Sequence, residues 1–410
     1  MTRPFANDPA QLKVLDMGIM IGAPFAATML GDLGAEVIKI EKPGIGDLIR
    51  YQGEGGKQLS YRWQVDGRNK RSITLDIRRE EGQDLLRRLA EWADILVENN
   101  RPGTLARYGL GYEQLREVNP RLIYVSVSGY GQTGPYKDRP GYDFSGAAFG
   151  GLTYTTGFPD RPPVLPGLAV VDYNAALFAV IGALEAVRRR DALGGSGRGE
   201  WVDVALYEPM LRIASHNIPI AAAEGRLPIR EGSYPLPGSG NSVDRNAHGY
   251  AYETRDGHYI SCFAVTDEQF ARLVGLIGDD TLLGPDTATM QDRIANAERI
   301  DKSLRAWVHG QNRDEAIRLL IEADIPVSPI NSPVDLLAEP HARARGNFLE
   351  VTNALGNSVT MQGVVPKLAE HPGSVRWAGE PLGASNRDVY HGLLGLSDAE
   401  IDRLRTAKVI

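Results

Sequence analysis

Residues 12–41 read LKVLDMGIMIGAPFAATMLGDLGAEVIKIE and contain, in order, the patterns of a strand, a helix and a second strand. The apolar run at 12–17 predicts a buried strand. Helical spacing follows from Pro24 to Leu33, and residues 36–41 predict the next strand. This strand–helix–strand order is the start of a parallel sheet with crossover helices.

The same alternation continues downstream. Further elements are predicted at 71–76, 94–99 and 121–131 (strands) and at 80–93 (an amphipathic helix). Strands that alternate with helices predict an α/β fold with a Rossmann-like, doubly wound parallel sheet.

A change of pattern after residue 224 predicts a second domain. Turn-rich residues are followed by a predicted hairpin over 251–265 and then by helical stretches. A chain of 410 residues is also long for one core. We therefore predict a large α/β domain over 1–224, a small α+β domain over 225–325, and a return to the large domain over 326–410.

Composition excludes several classes of protein. The net charge is −7 and no basic block stands out, which argues against nucleic acid as a partner. The single cysteine, Cys262, excludes an internal disulfide, and the seven histidines lack the spacing of metal ligands. The start of the chain lacks the apolar region of a secretory signal, and the apolar stretch from Ala175 to Val187 is short for a membrane span. These observations predict a cytoplasmic protein without a metal site or a membrane anchor.

The first turn argues against a dinucleotide cofactor, although Glu41 stands where an acid that binds ribose would. Residues 18–24 are GIMIGAP and not G-x-G-x-x-G, and Pro24 at the helix entry would keep the backbone away from a pyrophosphate. The chain also lacks the G-x-S-x-G and Walker A motifs, so the serine hydrolase and P-loop interpretations have no support.

An aspartate at the start of a long helix is the strongest chemical candidate. In GLAVVDYNAA (167–176) an apolar run ends at Asp172, which stands where the helix is predicted to begin. One interpretation is structural, because Asp is a favoured N-cap residue. The other is chemical, because the N–H groups and dipole of a helix N-terminus could hold an anionic nucleophile and stabilise oxyanions beside it.

The wider sequence resembles the class III CoA-transferases, the CaiB/BaiF family that includes formyl-CoA:oxalate and carnitine CoA-transferases. Matching segments follow one another along nearly the whole chain: 14–47, 67–76, 94–143, 151–206, 325–348, 365–373 and 393–404. The resemblance implies an acyl-CoA:carboxylate CoA-transferase with no permanently bound cofactor, in which CoA thioesters are substrates. It also implies an interlocked homodimer.

The resemblance gives Asp172 the role of covalent nucleophile. It implies that the aspartate attacks the donor thioester, forms an acyl-aspartyl anhydride, and then carries CoA as an aspartyl thioester that the acceptor carboxylate attacks. Tyr142 is placed in the lining of the active site. The segment Gly238, Ser239 and Gly240 corresponds to a mobile glycine-rich loop of the family, although it is shorter and could be an ordinary turn.

The resemblance also assigns contacts with CoA. The positions that it matches to CoA-binding residues are Met20, Ile21, Lys42, Leu75, Arg78, Asn99 and Arg107. For the charged residues among them, a solvated surface side chain is the ordinary alternative.

Two other functions remain open at this point. A 2-methylacyl-CoA racemase of the same superfamily would keep Asp172 but place a histidine where this chain has Tyr142, and a tyrosine with an ordinary pKa is a poor proton shuttle at neutral pH. A non-catalytic acyl-CoA-binding protein would not need the aspartate. The substrates are predicted from family habit alone, as succinyl-CoA and a dicarboxylate whose second carboxylate could pair with Arg230 or Arg245.

Overall fold

The computed structural model describes residues 5, 11–56, 59–214, 217–225, 230, 251–264 and 266–410. The strands are β1 (Lys13–Asp16), β2 (Glu36–Glu41), β3 (Lys70–Thr74), β4 (Ile95–Glu98), β5 (Ile123–Ser128), β6 (Trp201–Ala205), β7 (Ala251–Glu253), β8 (Tyr259–Cys262), β9 (Val327–Pro329), β10 (Phe348–Thr352) and β11 (Ser358–Gln362). The α-helices are α1 (Gly22–Asp32), α2 (Tyr61–Asp66), α3 (Glu80–Trp92), α4 (Tyr112–Val118), α5 (Asp143–Phe149), α6 (Leu152–Thr155), α7 (Val170–Asp191), α8 (Glu208–Ile213), α9 (Asn217–Glu224), α10 (Asp267–Ile277), α11 (Met290–Ala295), α12 (Ala297–His309), α13 (Arg313–Glu322), α14 (Pro333–Ala338), α15 (Pro340–Ala344) and α16 (Asp398–Thr406).

The central sheet has six parallel strands in the order β3-β2-β1-β4-β5-β6. This confirms the predicted α/β fold and its first five strands, whereas β6 was not predicted as a strand. Helices cover both faces of the sheet, so its central strands are buried, but β2 and β3 also carry buried charged residues: Glu36, Lys39, Glu41, Lys70 and Arg71. In this order the chain turns back between β1 and β4, and a crevice opens at that point beyond the carboxyl ends of the strands, where sheets of this type bind ligands.

One face of the sheet packs on α3 and α16. Leu15 and Ile38 from the strands form one buried cluster with Leu86 and Leu89 of α3 and Leu404 of α16. The predicted amphipathic helix at 80–93 is therefore a cover of the sheet. Its leucines recur at i, i+3 and i+4 and supply the buried stripe.

Helix α7 packs against β5, β6 and α1 through a face of small residues. That face consists of Ala175, Ala176, Ala179, Val180, Ala183 and Ala186. Within the described part of the chain, α7 alone is long and apolar enough to cross a membrane: it has 22 residues, and an 18-residue window of it has a mean hydropathy of 1.6. The apolar stretch is therefore longer than the predicted 175–187. A helix that packs against a sheet in a protein core passes the same length and hydropathy criteria.

The segment 376–410 completes the layer around β3. The indole Nε1 of Trp63 donates to the carbonyl oxygen of Glu380 at 2.8 Å. The main-chain N–H of Asp76 donates to the carbonyl oxygen of Val409 at 2.7 Å. Val409 is fully buried. The first core thus includes residues more than 300 positions apart in the sequence.

The chain divides into two compact units. The first contains residues 1–150, 167–213 and 340–410, and the second contains 151–166 and 214–339. In the second unit, β7 and β8 form the antiparallel hairpin expected at 251–265, and β9 pairs with the other edge of β8.

These bounds differ from the predicted ones at three places. The long stretch of the second unit begins at residue 214 and not at 225, so α9 belongs to it. The predicted end of the small domain at 325 would separate β9 from its partner strand β8, so the break comes after residue 339. The stretch 151–166 also belongs to the second unit, where the guanidinium of Arg230 donates to its carbonyl oxygens at Tyr154, Phe158 and Arg161 at 3.2–3.3 Å.

Candidate active site

A cleft of about 330 Å³ lies in the first unit, beyond the carboxyl ends of β1, β4 and β5. This is the position that the strand order predicts for a ligand. Its lining residues are Ile19, Met20, Ile21, Gly22, Asn99, Asn100, Arg101, Pro102, Thr104, Val127, Ser128, Gly129, Arg139, Pro140, Gly141, Tyr142, Asp172 and Leu206.

The turn after β1 is held by side chains from two other strand ends. Asn99, just after β4, accepts from the N–H of Ile19 and donates to its carbonyl oxygen, both at 2.8 Å. The N–H of Met20 donates to Asp47 Oδ1 at 2.9 Å. Met20 has a φ of 64°, a left-handed conformation that costs free energy for a residue with a Cβ. These hydrogen bonds hold it there and set the shape of the cleft wall.

A network of buried charges lies beneath this turn. Lys39 contacts Asp16 Oδ1 at 3.4 Å and Asp47 Oδ2 at 3.0 Å, and it donates to the carbonyl oxygen of Gly18. Lys70 contacts Asp16 Oδ2 at 2.8 Å and donates to the carbonyl oxygen of Pro24 at 2.6 Å. Burial alone would raise the pKa of Asp16, but the two lysine charges keep it below its usual value. The network ties the first turn to β2 and β3.

Glu41 is also engaged in this region. Its carboxylate accepts from Arg50 at 2.6 and 2.7 Å and from the hydroxyl of Ser72 at 2.7 Å. The guanidinium of Arg50 lies 3.6 Å from the ring centroid of Trp63. Since Glu41 already has these partners, its carboxylate is not presented to a ribose, in agreement with the absence of a dinucleotide motif.

Asp172 is the third residue of α7, and the helix begins at Val170 after Ala169. The interpretation of Asp172 as the N-cap is therefore wrong. The capping acceptor is Asp143, whose Oδ1 accepts from the N–H groups of Val171 and Asp172 at 2.9 and 3.0 Å. Because Asp143 supplies this cap, the carboxylate of Asp172 is available to the cleft.

The surroundings of the Asp172 carboxylate favour its protonated form. Burial, and then the negative charge of Asp143, raise its pKa to about 7, while the charge of Arg62 acts in the opposite direction. Within the described residues, no side chain donates a hydrogen bond to this carboxylate or forms an ion pair with it. A Cβ added to Gly22 would lie 3.8 Å from Asp172 Oδ1, so the carboxylate stands beside the first residue of α1.

The wall opposite the first turn comes from residues 139–142. An added Cβ at Gly129 would lie 2.8 Å from the Cα of Gly141, and the reverse substitution gives the same distance. Glycine is required at both positions because the two backbones are in direct contact. Tyr142 on this wall is 64% exposed, and its ring is stacked on Phe144 at 6.2 Å between centroids.

Comparison with known proteins identifies the family. A model of CoA-transferase family III matches residues 10–386. The chain belongs to CoA-transferase family III.

Two named enzymes and one solved structure show how close the likeness is. Succinyl-CoA–D-citramalate CoA-transferase of Chloroflexus aurantiacus is 38% identical over 401 residues, which cover 97% of each chain. Human succinyl-CoA:glutarate CoA-transferase is 31% identical over 97% of this chain and 89% of its own. The crystal structure of a CaiB/BaiF family protein from Brucella suis has a TM-score of 0.81 at 32% identity and covers 95% of this chain and 100% of that one.

In this family III CoA-transferase, the cleft brings together five of the residues selected from the sequence. They are Met20, Ile21, Asn99, Tyr142 and Asp172.

The other selected residues lie elsewhere or outside the described part of the chain. Lys42 and Arg107 are exposed and do not line the cleft, and Arg78 is an exposed side chain paired with Asp76 at 2.6 Å. The side chain of Leu75 is buried in the core. Gly238, Ser239 and Gly240 are outside the described residues.

Sequence reasoning missed four charged residues of the transferase site. Asp143 caps α7 and affects the pKa of Asp172, Arg62 opposes that effect, and Arg101 and Arg139 line the cleft. Asp143 and Arg139 stand within three residues of Tyr142, so their position beside a selected residue was the available signal. Arg62 comes from α2, more than 100 residues from Asp172, and no local pattern marks it.

Proposed function

We propose that this CoA-transferase moves CoA from succinyl-CoA to a dicarboxylic acid and that Asp172 is its covalent nucleophile. The observation that carries the proposal is the state of Asp172: a largely buried carboxylate with a raised pKa, facing the cleft at the switch point of the sheet. A carboxylate of this kind is a reactive anion once ionised, because little stabilises its charge.

The proposed reaction begins with attack of an Asp172 carboxylate oxygen on the thioester carbonyl carbon. The C–S bond breaks, CoA thiolate leaves, and a mixed anhydride joins Asp172 to the acyl group. The thiolate then attacks the aspartyl carbonyl carbon, which releases the donor acid as a carboxylate and leaves CoA on Asp172 as a thioester. Both intermediates preserve the activation of the original thioester.

The second half repeats these steps in reverse order. The acceptor carboxylate attacks the aspartyl thioester, CoA thiolate leaves, and a new mixed anhydride forms. The thiolate attacks the acyl carbon of the acceptor, which gives the new acyl-CoA and restores the carboxylate of Asp172. No proton is gained or lost over the cycle, in keeping with a cleft in which, among the described residues, Asp172 is the one acidic side chain of the lining.

The first turn of α1 supports the charged intermediates of this scheme. The helix begins at Gly22, no side chain caps it, and Gly22 stands beside Asp172 Oδ1. The first N–H groups of a helix have no partner within the helix and attract negative charge. We assign them to the oxyanions that form when Asp172 or its derivatives are attacked.

For CoA, we propose that the wall formed by Met20, Ile21 and Asn99 binds the part of the molecule next to the thioester. Lys42, Arg78 and Arg107 are proposed to meet the nucleotide end outside the cleft, where exposed cations suit phosphate groups. Leu75 has a buried side chain, so its proposed contact is through the main chain.

An apolar face supports the proposed homodimer. Leu177, Ile181 and Leu184 lie on the side of α7 opposite its alanines and are 39–63% exposed. A contiguous apolar face of this kind is typical of a surface that a partner covers. We propose that a second copy covers it in an interlocked dimer in the cytoplasm. Light scattering on the purified protein would test the dimer, and a monomer that persists at high concentration would contradict it.

The test of the reaction is intact-protein mass spectrometry after incubation with succinyl-CoA and other short-chain acyl-CoAs, with hydroxylamine or borohydride as the trap. We expect an adduct or its trapped product at Asp172 and none in Asp172→Ala. If no donor gives an adduct, and a 2-methylacyl-CoA instead exchanges its α-proton with deuterium, the protein is a racemase and the proposal is wrong.

A further inference from the structure

The charges of the cleft are asymmetric. Its charged lining residues are the anion Asp172 and the cations Arg101 and Arg139. Arg101 stands two residues after Asn99, on the wall proposed for CoA. Arg139 stands on the opposite wall with Tyr142. An acyl group or acceptor that reacts at Asp172 therefore has a guanidinium on the wall across from CoA.

Arg139 is held in place without an ion pair among the described residues. Its guanidinium lies 3.4 Å from the ring centroid of Tyr136, and its main-chain N–H donates to the carbonyl oxygen of Tyr136 at 2.9 Å. A guanidinium that lies over an aromatic ring can still donate its N–H groups to a planar anion. In the part of the chain that the structure describes, no carboxylate forms an ion pair with Arg139. The contact between Gly129 and Gly141 fixes the wall that carries it.

The charge of Arg139 is also not committed to the nucleophile. The cation that lowers the pKa of Asp172 is Arg62, on another element. This separation leaves Arg139 available for a negative group that is not the reacting one.

Arg230 is another candidate for binding a substrate carboxylate, but its guanidinium already has hydrogen-bond partners in the protein. The sequence offered Arg230 and Arg245 as partners of a second substrate carboxylate, and Arg245 lies outside the described residues. In the structure the Nε, Nη1 and Nη2 of Arg230 each donate to a main-chain carbonyl oxygen, at 3.2–3.3 Å, and the guanidinium also lies 5.8 Å from the ring centroid of Tyr154. Arg230 therefore serves the local structure of the second unit.

We propose that Arg139 binds the second, non-reacting carboxylate of the substrate and thereby selects dicarboxylic acids over monocarboxylic acids of equal length. This inference rests on the proposed function and names a specificity residue for it. The planar fork of Arg139 matches a carboxylate through two parallel hydrogen bonds, and the reacting carboxylate or thioester at the other end of the chain is left at Asp172.

The test compares 14C-labelled succinate with 14C-labelled butyrate as acceptors and unlabelled succinyl-CoA as the donor, and it follows the label into CoA thioesters, because transfer from succinyl-CoA to unlabelled succinate gives no net product. Butyrate has the same number of carbons as succinate and lacks the second carboxylate. For Arg139→Met we expect kcat/KM for succinate to fall about 100-fold, with a change of less than about 3-fold for butyrate. Lys137→Met is the matched control, since it removes an exposed cation of the same loop that does not line the cleft. It should leave both acceptors unchanged.

The outcomes separate this inference from its alternatives. Equal losses on both acceptors, or no loss on either, overturn the role of Arg139 in selection. A dissociation constant for CoA that rises more than about 10-fold in Arg139→Met would assign the side chain to a CoA phosphate instead. A wild-type enzyme that prefers butyrate also overturns the inference. If wild type transfers CoA to neither acid from any donor, the proposed function itself fails, and this inference with it.

Discussion

Asp16 and Asp172 are two buried aspartates near the same cleft, and their surroundings differ. Asp16 lies beneath the first turn and contacts Lys39 and Lys70. Asp172 lies at the cleft, with Asp143 near it and, among the described residues, no cation at ion-pair distance. The pKa of Asp16 is lowered and that of Asp172 is raised to about 7.

The difference separates charges that maintain the structure from a charge that is available for chemistry. A buried carboxylate with two cations is locked into one protonation state and one position. A buried carboxylate without such partners is costly to ionise, and a reaction that disperses its charge relieves that cost. The molecule thus uses the first kind to shape the turn and the second kind at the position of the proposed nucleophile.

Removing a cation from the buried network around Asp16 should have the largest effect on the free energy of unfolding. In Lys70→Met, Asp16 loses one of its two cations and the carbonyl oxygen of Pro24 loses a donor, so we expect the free energy of unfolding to fall by about 3–5 kcal/mol. Urea denaturation at pH 7 measures it. Arg87→Met breaks an exposed pair with Asp84 and should cost less than about 1 kcal/mol. Similar losses in the two variants would contradict the structural role of the buried network.

Neutralising Asp172 should raise the free energy of unfolding, whereas breaking the network around Asp16 should lower it. An aspartate with a pKa of about 7 in the folded state and 3.8 in the unfolded state binds its proton more tightly when folded. The free energy of unfolding therefore falls as the pH rises from about 4 to 7 and Asp172 ionises. Above pH 7 this loss of stability is complete and does not change further. We expect Asp172→Asn to be more stable than wild type by about 2–4 kcal/mol at pH 8, and the difference to vanish near pH 4.

Thermal unfolding of both proteins across this pH range checks the expectation. A difference in stability that does not change with pH would show that the gain has another origin.

The smallest expected effect comes from changing the neighbouring charges that shift the pKa of Asp172. After burial, the charge of Asp143 is the next cause of the raised pKa of Asp172. Asp143→Asn removes that charge and keeps an oxygen that can accept from the N–H groups of Val171 and Asp172. We expect the acidic limb of the pH profile of kcat/KM to move down by about 0.5–1 pH unit.

Arg62→Gln removes the charge that lowers this pKa and should move the same limb upward. Profiles that do not move in either variant would show that ionisation of Asp172 does not limit the reaction.

The sheet could be predicted from the sequence because its strands are local patterns. Five of its six strands were predicted as short runs with apolar residues between turn signals, and such runs in alternation with helices leave few topologies. The sixth strand, β6, was not predicted. Helix α7 was predicted from the periodicity of Leu177, Val180, Ile181, Leu184 and Val187, and its existence is confirmed. Leu177, Ile181 and Leu184 are exposed, however, and the buried face consists mostly of alanines with Val180. Periodicity located the helix, but close approach to a sheet favours small residues that a hydrophobicity pattern ranks low.

The candidate site was less accessible to local reasoning. From the residues around Asp172 an N-cap was the favoured interpretation. The residue that caps α7 is Asp143, which is 29 positions earlier in the chain and therefore outside any local pattern. The resemblance to a family selected Asp172 and Tyr142 before any contact was known. The wall formed by Gly129 and Gly141 depends on a contact between two loops, and such contacts are set by the tertiary fold.

The hydrogen bond between Asp76 and Val409 has a consequence for folding during synthesis. The ribosome delivers β1, β2 and β3 early, but the segment that completes the layer around β3 leaves the exit tunnel only after some 300 further residues. During that interval the indole of Trp63 and the edge of β3 have none of their final partners at 380–409. The first unit is therefore exposed to chaperones during most of its synthesis, whereas the contiguous stretch 214–339 can fold as soon as it emerges.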